Sequence, residues 1–394
     1  MARILHISGD YPDPLAPAKT RAVANLLAMI DGHEHRVVSI NRVHWKTPPT
    51  ALLFKDAAGD RHRALAYGAP GKGLMLRRFL EKASAWIEAD CAADGYRPDL
   101  VHAHKLSIEG FAGQRLAAGY GVPLLLSIQG NTDQKIIGAR RDLRPALGRI
   151  WRDAAVAFPF APWAWKSMNA LLGDRPGPAI ALPCPTAADA ILAPVATPPT
   201  IRTAFNLKDY GNKNLIALMR AVGRAAASAP DISLEVIGGG DPAAYAVAVR
   251  AAAALAPGRV RFLGAVPNTE MQGLLNGAAA FALVSHRETY GMVFAEALLA
   301  GAPCLIPRDR AIAGYFDEGS VVVSADPKSD AEIEAGLLRL VAEQAAFKAR
   351  LAALGAAGGL DMLRRDAIKA AYLRGIDVAL GAGGGDPPAI LRLR

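Results

Sequence analysis

Cysteine is scarce in this chain of 394 residues: Cys91, Cys184 and Cys304 are the only three. They are far apart, odd in number and without CxxC pairing or a histidine spacing suited to zinc, which excludes a disulfide-stapled scaffold and a zinc ribbon and points to a reducing, cytoplasmic setting. Charge is sparse as well, at 21% of residues against 52% hydrophobic, and that balance excludes a disordered chain. No uninterrupted apolar run has membrane-spanning length. The longest, "AVAFPFAPWAW" from Ala155, is broken by Pro159 and Pro162 and followed by Lys166. The opening "ARILHISGD" reads as a buried strand and lacks the charged start and long apolar stretch of a signal peptide. The formal charge of +9 invites acidic partners, namely an anionic membrane face or phosphorylated small molecules. With neither the aromatic signature of an RNA-binding sheet nor a zinc-finger spacing, nucleic acid is not an expected partner.

What is present is alternation. Short apolar runs of strand length ("RILHIS", "RVVSI", "LVHAH", "PLLLSI", "AVAFP", "AIALP", then "IRTAF", "SLEVIG", "VRFLG", "AAFALVS", "PCLIP", "VVVS") are separated by longer alanine-rich or amphipathic runs of helix length. That order predicts an α/β chain of two doubly wound, Rossmann-like domains, because this length exceeds what one core organises. The proline-rich "LAPVATPPTI" is read as the boundary, giving domains 1–197 and 198–359, with 360–394 as a helix returning to the first domain followed by a glycine-rich tail. Ligands of open parallel sheets bind beyond the carboxyl ends of the strands, so two such domains are expected to face one another across a cleft.

The most informative stretch is "SHRETYGMVFAEALLAGAPCLI", from Ser285 to Ile306. A buried strand leads into the loop "HRETYG" and then into a helix that Gly301 and Pro303 terminate. Gly291 lets backbone approach a ligand closely, and the free amides of Met292 and Val293 at the helix start form an anion site suited to phosphate. Hydrolase carboxylates would stand about 5 to 9.5 Å apart across one bond. Eight helical steps separate Glu288 from Glu296 by roughly 12 Å instead, so the two acids read as grips on the two ends of an elongated molecule. The neighbours of Glu296 are almost all apolar, which predicts a buried carboxylate needing partners, such as ribose hydroxyls.

Glu288-Thr-Tyr-Gly-Met-Val-Phe-Ala-Glu296 followed by "ALLAGAPCLI" resembles the EX7E signature of retaining GT-B glycosyltransferases, closely that of glycosyltransferase family 4. The likeness extends through "LEVIGGGD", "VRFLGAVPNTEMQGLLNGAAAFALVS" and "FNLKDYGNKNLIALMRAV", and is weaker over the first half, at "PDLVHAH" and "GVPLLLSIQGNTD". It implies a GT-B fold and a retaining, metal-independent, hexosyltransferase-type enzyme that takes a nucleotide-diphosphate sugar such as a GDP- or UDP-hexose. The acceptor implied is a hydroxyl of a surface polysaccharide or lipid-linked glycan intermediate. No cofactor is implied, and no DxD-type acidic pair follows a strand to bridge a metal. Glu288 would hold the donor sugar's hydroxyls, Tyr290, Gly291, Met292 and Val293 the sugar or phosphate, and Glu296 the ribose. The loop at Ala265 to Pro267, with Val266, would border the base, while Gly238 to Gly240 are a weak phosphate signal.

The sequence departs from the family pattern in three places. Asn206 stands where an arginine is usual, leaving Lys208 and Lys213 to neutralise the diphosphate. The first loop lacks the usual glycine pair, although Gly9, Lys19 and Thr20 still permit anion binding. Gln129 stands where relatives place a histidine near the reacting sugar, and glutamine can orient a hydroxyl but cannot take a proton. His102 and His104 are read as taking opposite faces of their strand, one packed beneath the sheet and His104 towards the acceptor loop. Leu76, Phe79, Leu80, Ala83 and Ile87 at helical spacing, with Lys72, Arg77, Arg78 and Lys82 beside them, suit either a core-facing helix over 73–90 or one lying on the inner face of the cell membrane. Trp45 and Lys46 fall in a stretch read as irregular. The alternatives kept open are a nucleotide-sugar-binding protein that has lost activity and a GT-B sugar-nucleotide epimerase.

Overall fold

β-Branched and leucine-rich runs bounded by glycine and proline form the strands; the inner ones are buried along nearly their whole length, as parallel strands covered by helices on both faces are, whereas the edge strands Thr50–Lys55 and Val260–Gly264 are largely half-buried or exposed. The computed structural model describes residues 1–56, 59–70 and 74–381. Lys72, the start of the expected 73–90 helix and the tail from 382 lie outside the described residues. The chain divides into two units, one comprising Met1–Pro185 with the segment from Asp366 onward, the other Thr186–Arg365.

In the first unit the strands are β1 (Arg3–Ser8), β2 (Glu34–Val43), β3 (Thr50–Lys55), β4 (Arg61–Gly68), β5 (Leu100–Ala103), β6 (Leu124–Ile128) and β7 (Val156–Pro159). They form a 7-stranded sheet in the order β3-β4-β2-β1-β5-β6-β7. All pairs are parallel except β3 with β4, which make an antiparallel hairpin at the edge. The expected strand at "AIALP" is reduced to a single bridge between Ala157 and Ala179. The helix Arg365–Ala379 belongs to this unit. Its Ile368, Ala371, Tyr372 and Ile376 share a core with Ile4, Leu100, Leu125, Val156 and Phe158.

The two histidines of "LVHAH" lie on one side of the sheet, not on opposite sides, since positions two apart in an extended chain share a face. Their ring centroids are 4.0 Å apart. Both are fully buried in a polar layer with His6 and His35. His6 contacts His104 at 3.1 Å and His35 at 2.9 Å, and His102 contacts both Tyr372 Oη and Ser127 Oγ at 2.9 Å. Burial pushes His35 down to about 4 and His104 down to about 3, so these rings are neutral at ordinary pH. Nitrogens of His6, His102 and His104 lie within 4.8 Å of one another. Because His6 and His102 each engage both ring nitrogens, we read the group as a hydrogen-bonded core layer.

The helix Leu76–Ala93 buries Leu76, Leu80, Ala83 and Ile87, so the apolar stripe faces the unit's own core and only Arg77, Arg78 and Lys82 of its basic face meet solvent. No helix among the described residues is long and apolar enough to cross a membrane.

In the second unit the strands are β8 (Thr200–Ala204), β9 (Ser233–Ile237), β10 (Val260–Gly264), β11 (Ala280–Ala282), β12 (Cys304–Pro307) and β13 (Val322–Ala325). The 6-stranded sheet is parallel throughout, in the order β10-β9-β8-β11-β12-β13. Winding reverses between β8 and β11, and an open α/β sheet binds ligands in the crevice at such a point. The proline-rich segment packs within this unit. Leu192 N–H donates to Leu299 O at 2.8 Å, and Asn276 Nδ2 donates to Ala193 O at 2.9 Å.

Candidate functional site

The loops leaving the carboxyl ends of β8, β9 and β10 and the helix Met292–Leu299 surround a pocket of about 510 Å³. Its lining includes Asn206, Gly238 to Gly240, Val266, Val293 and Glu296, which brings together expected residues from four separate stretches of sequence. Phe205 and Met271 also line it and were not anticipated, having no polar group to single them out.

Each loop has a local reason for its path. Asn206 caps the single 3₁₀ turn Leu207–Asp209, its side-chain oxygen accepting from Lys208 N–H at 3.1 Å. A side chain at Gly238, where φ is +138°, would meet Phe205 O at 1.9 Å, so the glycine run is what lets the β9 loop lie against the β8 loop. Gly291 has φ +69°, and a Cβ there would meet the Phe294 ring at 2.7 Å and Glu288 Cγ at 3.1 Å. That left-handed residue turns the chain into the helix, leaving the first-turn amides of Met292 and Val293 without intrahelical acceptors. Tyr290, just before it, is buried with its ring edge-on to Tyr315.

The two glutamates occupy different environments. Glu296 sits on the pocket wall; burial holds its carboxyl above the ordinary glutamate value, opposed by a hydrogen bond from the Ala187 backbone. Glu288 lies outside that lining and receives Lys213 Nζ at 2.7 Å and Ser285 Oγ at 3.3 Å. The β8 loop is fastened to the β11 loop immediately before this pair, by His286 N–H to Asn212 O at 2.9 Å and Asn212 Nδ2 to Arg287 O at 3.1 Å. Lys213 is therefore held at Glu288, and Lys208 is exposed near the pocket rim at Asn206. Nothing in the local sequence announces the Lys213–Glu288 contact, because its partners are 75 positions apart.

The expected residues of the first unit fall at the ends of β1, β5 and β6. Gln129 is buried and its Nε2 donates to His104 O at 2.9 Å, so it braces the β5 loop. Lys19 lies 2.8 Å from buried Asp13 and donates to Ser39 Oγ at 2.8 Å, while Thr20 is exposed before the short helix Ala22–Leu27. Gly9 N–H donates to Glu109 Oε1 at 2.7 Å. Neither Glu109 nor Lys105, which bridges Asp10 and Glu109, was singled out from the sequence; a charged pair directly after a buried strand end was the available signal.

Residues 201–356 match the family of glycosyl transferases group 1. A glycogen synthase of Mycobacterium tuberculosis (strain CDC 1551 / Oshkosh) is 25% identical over 378 residues, covering 88% of each chain. Among solved structures, a sucrose-phosphate synthase from Thermosynechococcus elongatus superposes with a TM-score of 0.70 at 17% identity, covering 97% of this chain and all 100% of the other. Anabaena Alr3699/HepE in complex with UDP-glucose superposes with a TM-score of 0.62 at 13% identity, covering 96% and 100%. The second unit is thus a glycosyl transferases group 1 domain, in a chain that has the GT-B fold of the glycosyltransferases.

Proposed function

We propose that this chain transfers a hexose from a nucleotide-diphosphate donor, of the UDP- or GDP-sugar class, to a hydroxyl of a glycan or lipid-linked acceptor, with retention and without a metal ion. The observation that carries the reading is the pocket at the strand-order reversal of the second unit, with Glu296 on its wall and the Lys213–Glu288 pair in the adjoining loop. A solved relative of the same fold holds UDP-glucose, which supports a nucleotide-sugar donor.

In this reading Glu296 takes the ribose hydroxyls and Val266 borders the base. The amides of Met292 and Val293 receive the diphosphate. Bond breaking between C1 and the phosphate oxygen leaves an oxocarbenium-like sugar, the acceptor oxygen bonds to C1 from the same face, and the acceptor proton passes to the departing phosphate. The chemistry needs charge stabilisation at the diphosphate, which Lys213, Lys208 and the helix start supply, more than a strong protein base. The exposed Arg77, Arg78 and Lys82 would draw the first unit to an anionic membrane carrying a lipid-linked acceptor.

The test is donor turnover. Wild-type protein given nucleotide sugars and candidate acceptors releases free nucleotide in the presence of chelator, the product anomer seen by NMR matches the donor, and Glu288→Ala abolishes release. A second reading, a nucleotide-sugar binder without turnover, is favoured by the cap made by Asn206 and the brace made by Gln129. Donor binding with no release under any acceptor condition would select it.

A further inference from the structure

In the first unit the helix Glu109–Tyr120 packs against both the helix Leu76–Ala93 and the helix Arg144–Asp153, and the three border a cavity of about 430 Å³. Helical spacing decides what faces it. Phe111, Gln114, Arg115 and Ala118 keep i, i+3, i+4, i+7 spacing along the shared helix and so lie on one face. Arg77 and Glu81 are four apart on the first helix, and Ala146 and Arg149 three apart on the last. Phe111 is buried and gives an apolar floor, while the small side chains of Ala118 and Ala146 leave the space above it open. All of this lining is helical, so the cavity is apart from the loops that follow β1, β5 and β6. Its volume falls within the range of about 300–1,000 Å³ usual for small-molecule sites.

The charge arrangement selects a ligand. Three guanidinium groups line this space against one carboxylate, so positive charge is in surplus. Arg77 Nε donates to Glu81 Oε1 at 2.9 Å, and these side chains are 63% and 45% exposed. Arg115 Nη2 donates at 3.2 Å to Glu88, which is outside the lining. Arg149 has no acidic partner among the described residues; its Nε donates to Pro145 O at 3.4 Å. Ion pairs this exposed add little stability, which leaves the guanidinium forks free to turn to a ligand. A metal cation is repelled here, and a neutral polyol leaves the excess charge uncompensated. A phosphate monoester relieves the repulsion among the arginines, its oxygens match the guanidinium fork, and the Gln114 amide can donate to a hydroxyl of the attached carbon skeleton. We propose that this cavity is a second ligand site, distinct from the pocket of the second unit, and takes a small phosphate monoester held by Arg115 and Arg149, with Arg77 joining them as it leaves Glu81. A free metabolite and the headgroup of a phosphatidic-acid-type lipid present the same group. The lining belongs wholly to the first unit, so the proposal stands independently of the transferase reading.

The experiment titrates the full chain by calorimetry with inorganic phosphate, glycerol 3-phosphate and glucose 6-phosphate, and with glycerol and glucose as their phosphate-free parents. In parallel it follows sedimentation with phosphatidylcholine vesicles that contain or lack phosphatidic acid. At least one phosphate-bearing probe binds where its phosphate-free counterpart does not. Arg115→Gln and Arg149→Gln each raise its Kd about tenfold. Arg141→Gln, which removes an exposed arginine just before the last helix and outside the lining, leaves the Kd unchanged. Glu81→Gln tightens binding about twofold to fivefold by freeing Arg77, a gain that a misfolded variant does not produce. Binding seen in calorimetry identifies a free monoester, and binding confined to sedimentation identifies a lipid headgroup; either upholds the site. No binding in both assays overturns the proposal. So does binding that neither Arg115→Gln nor Arg149→Gln weakens, that Arg141→Gln weakens equally, or that Glu81→Gln leaves no tighter.

Discussion

Lys213 and Glu288 are partly buried and 2.7 Å apart, so each sets the other's position before any ligand arrives. If the pair acts as a unit in turnover, removing one member removes most of what both contribute. Glu288→Gln and Lys213→Met should each lower kcat/KM by roughly 100-fold or more. The double variant should fall well short of the product of the two losses, as coupled neighbours do. Additive losses would mean that the two residues work on separate parts of the donor. Glu288 and Glu296 stand out in the sequence because the signal is local, a glycine at the turn and an apolar helix around the second acid. The clamp on Glu288 does not, since it depends on a loop that sequence leaves 75 positions away.

At the scale of elements, the runs "RILHIS", "PLLLSI" and "SLEVIG" were readable because burial on both faces leaves them uniformly apolar. The hairpin β3–β4 escaped because β4 carries Arg61, His62 and Arg63, which look solvated. Only Arg61 is exposed: Arg63 is buried because Asp90 at 2.9 Å and Asp94 at 2.7 Å hold it from the helix Leu76–Ala93 and its end, and His62 is buried 3.3 Å from Asp56 of the hairpin's own loop. The histidine layer between sheet and final helix has a consequence in pH. With His6, His35, His102 and His104 all held below the ordinary histidine value by burial, the unfolded chain takes up protons first as pH falls. The stability these neutral rings contribute is therefore complete above about pH 6.5 and is lost as pH falls towards 4, where His35 itself titrates. Melting temperature should drop on going from pH 7 to pH 5, and His35→Gln should flatten that slope. An unchanged slope in the variant would show that carboxylates elsewhere govern it.

For the whole molecule, the chain passes between its two units at Pro185–Thr186 and again at Arg365–Asp366, so the strap that precedes β8 is held within the second unit. Lys348 is its main anchor. It is buried, donates to Ala278 O at 2.8 Å, Thr197 Oγ1 at 3.2 Å and also to Val195 O, and burial holds it down to about 8. Lys348→Met should leave these acceptors unsatisfied and destabilise the second unit by about 1–3 kcal/mol, seen as lowered denaturant resistance. A wild-type midpoint in that variant would show the strap to be held by its apolar contacts alone. The central claim is that the pocket of the second unit holds a nucleotide-diphosphate sugar with Glu296 on its wall, and calorimetric titration of UDP- and GDP-hexoses into the wild type and Glu296→Ala tests it most directly. The account predicts binding by at least one donor, weakened about tenfold or more in the variant. Equal affinity in both proteins, or no heat from any nucleotide sugar, would contradict it.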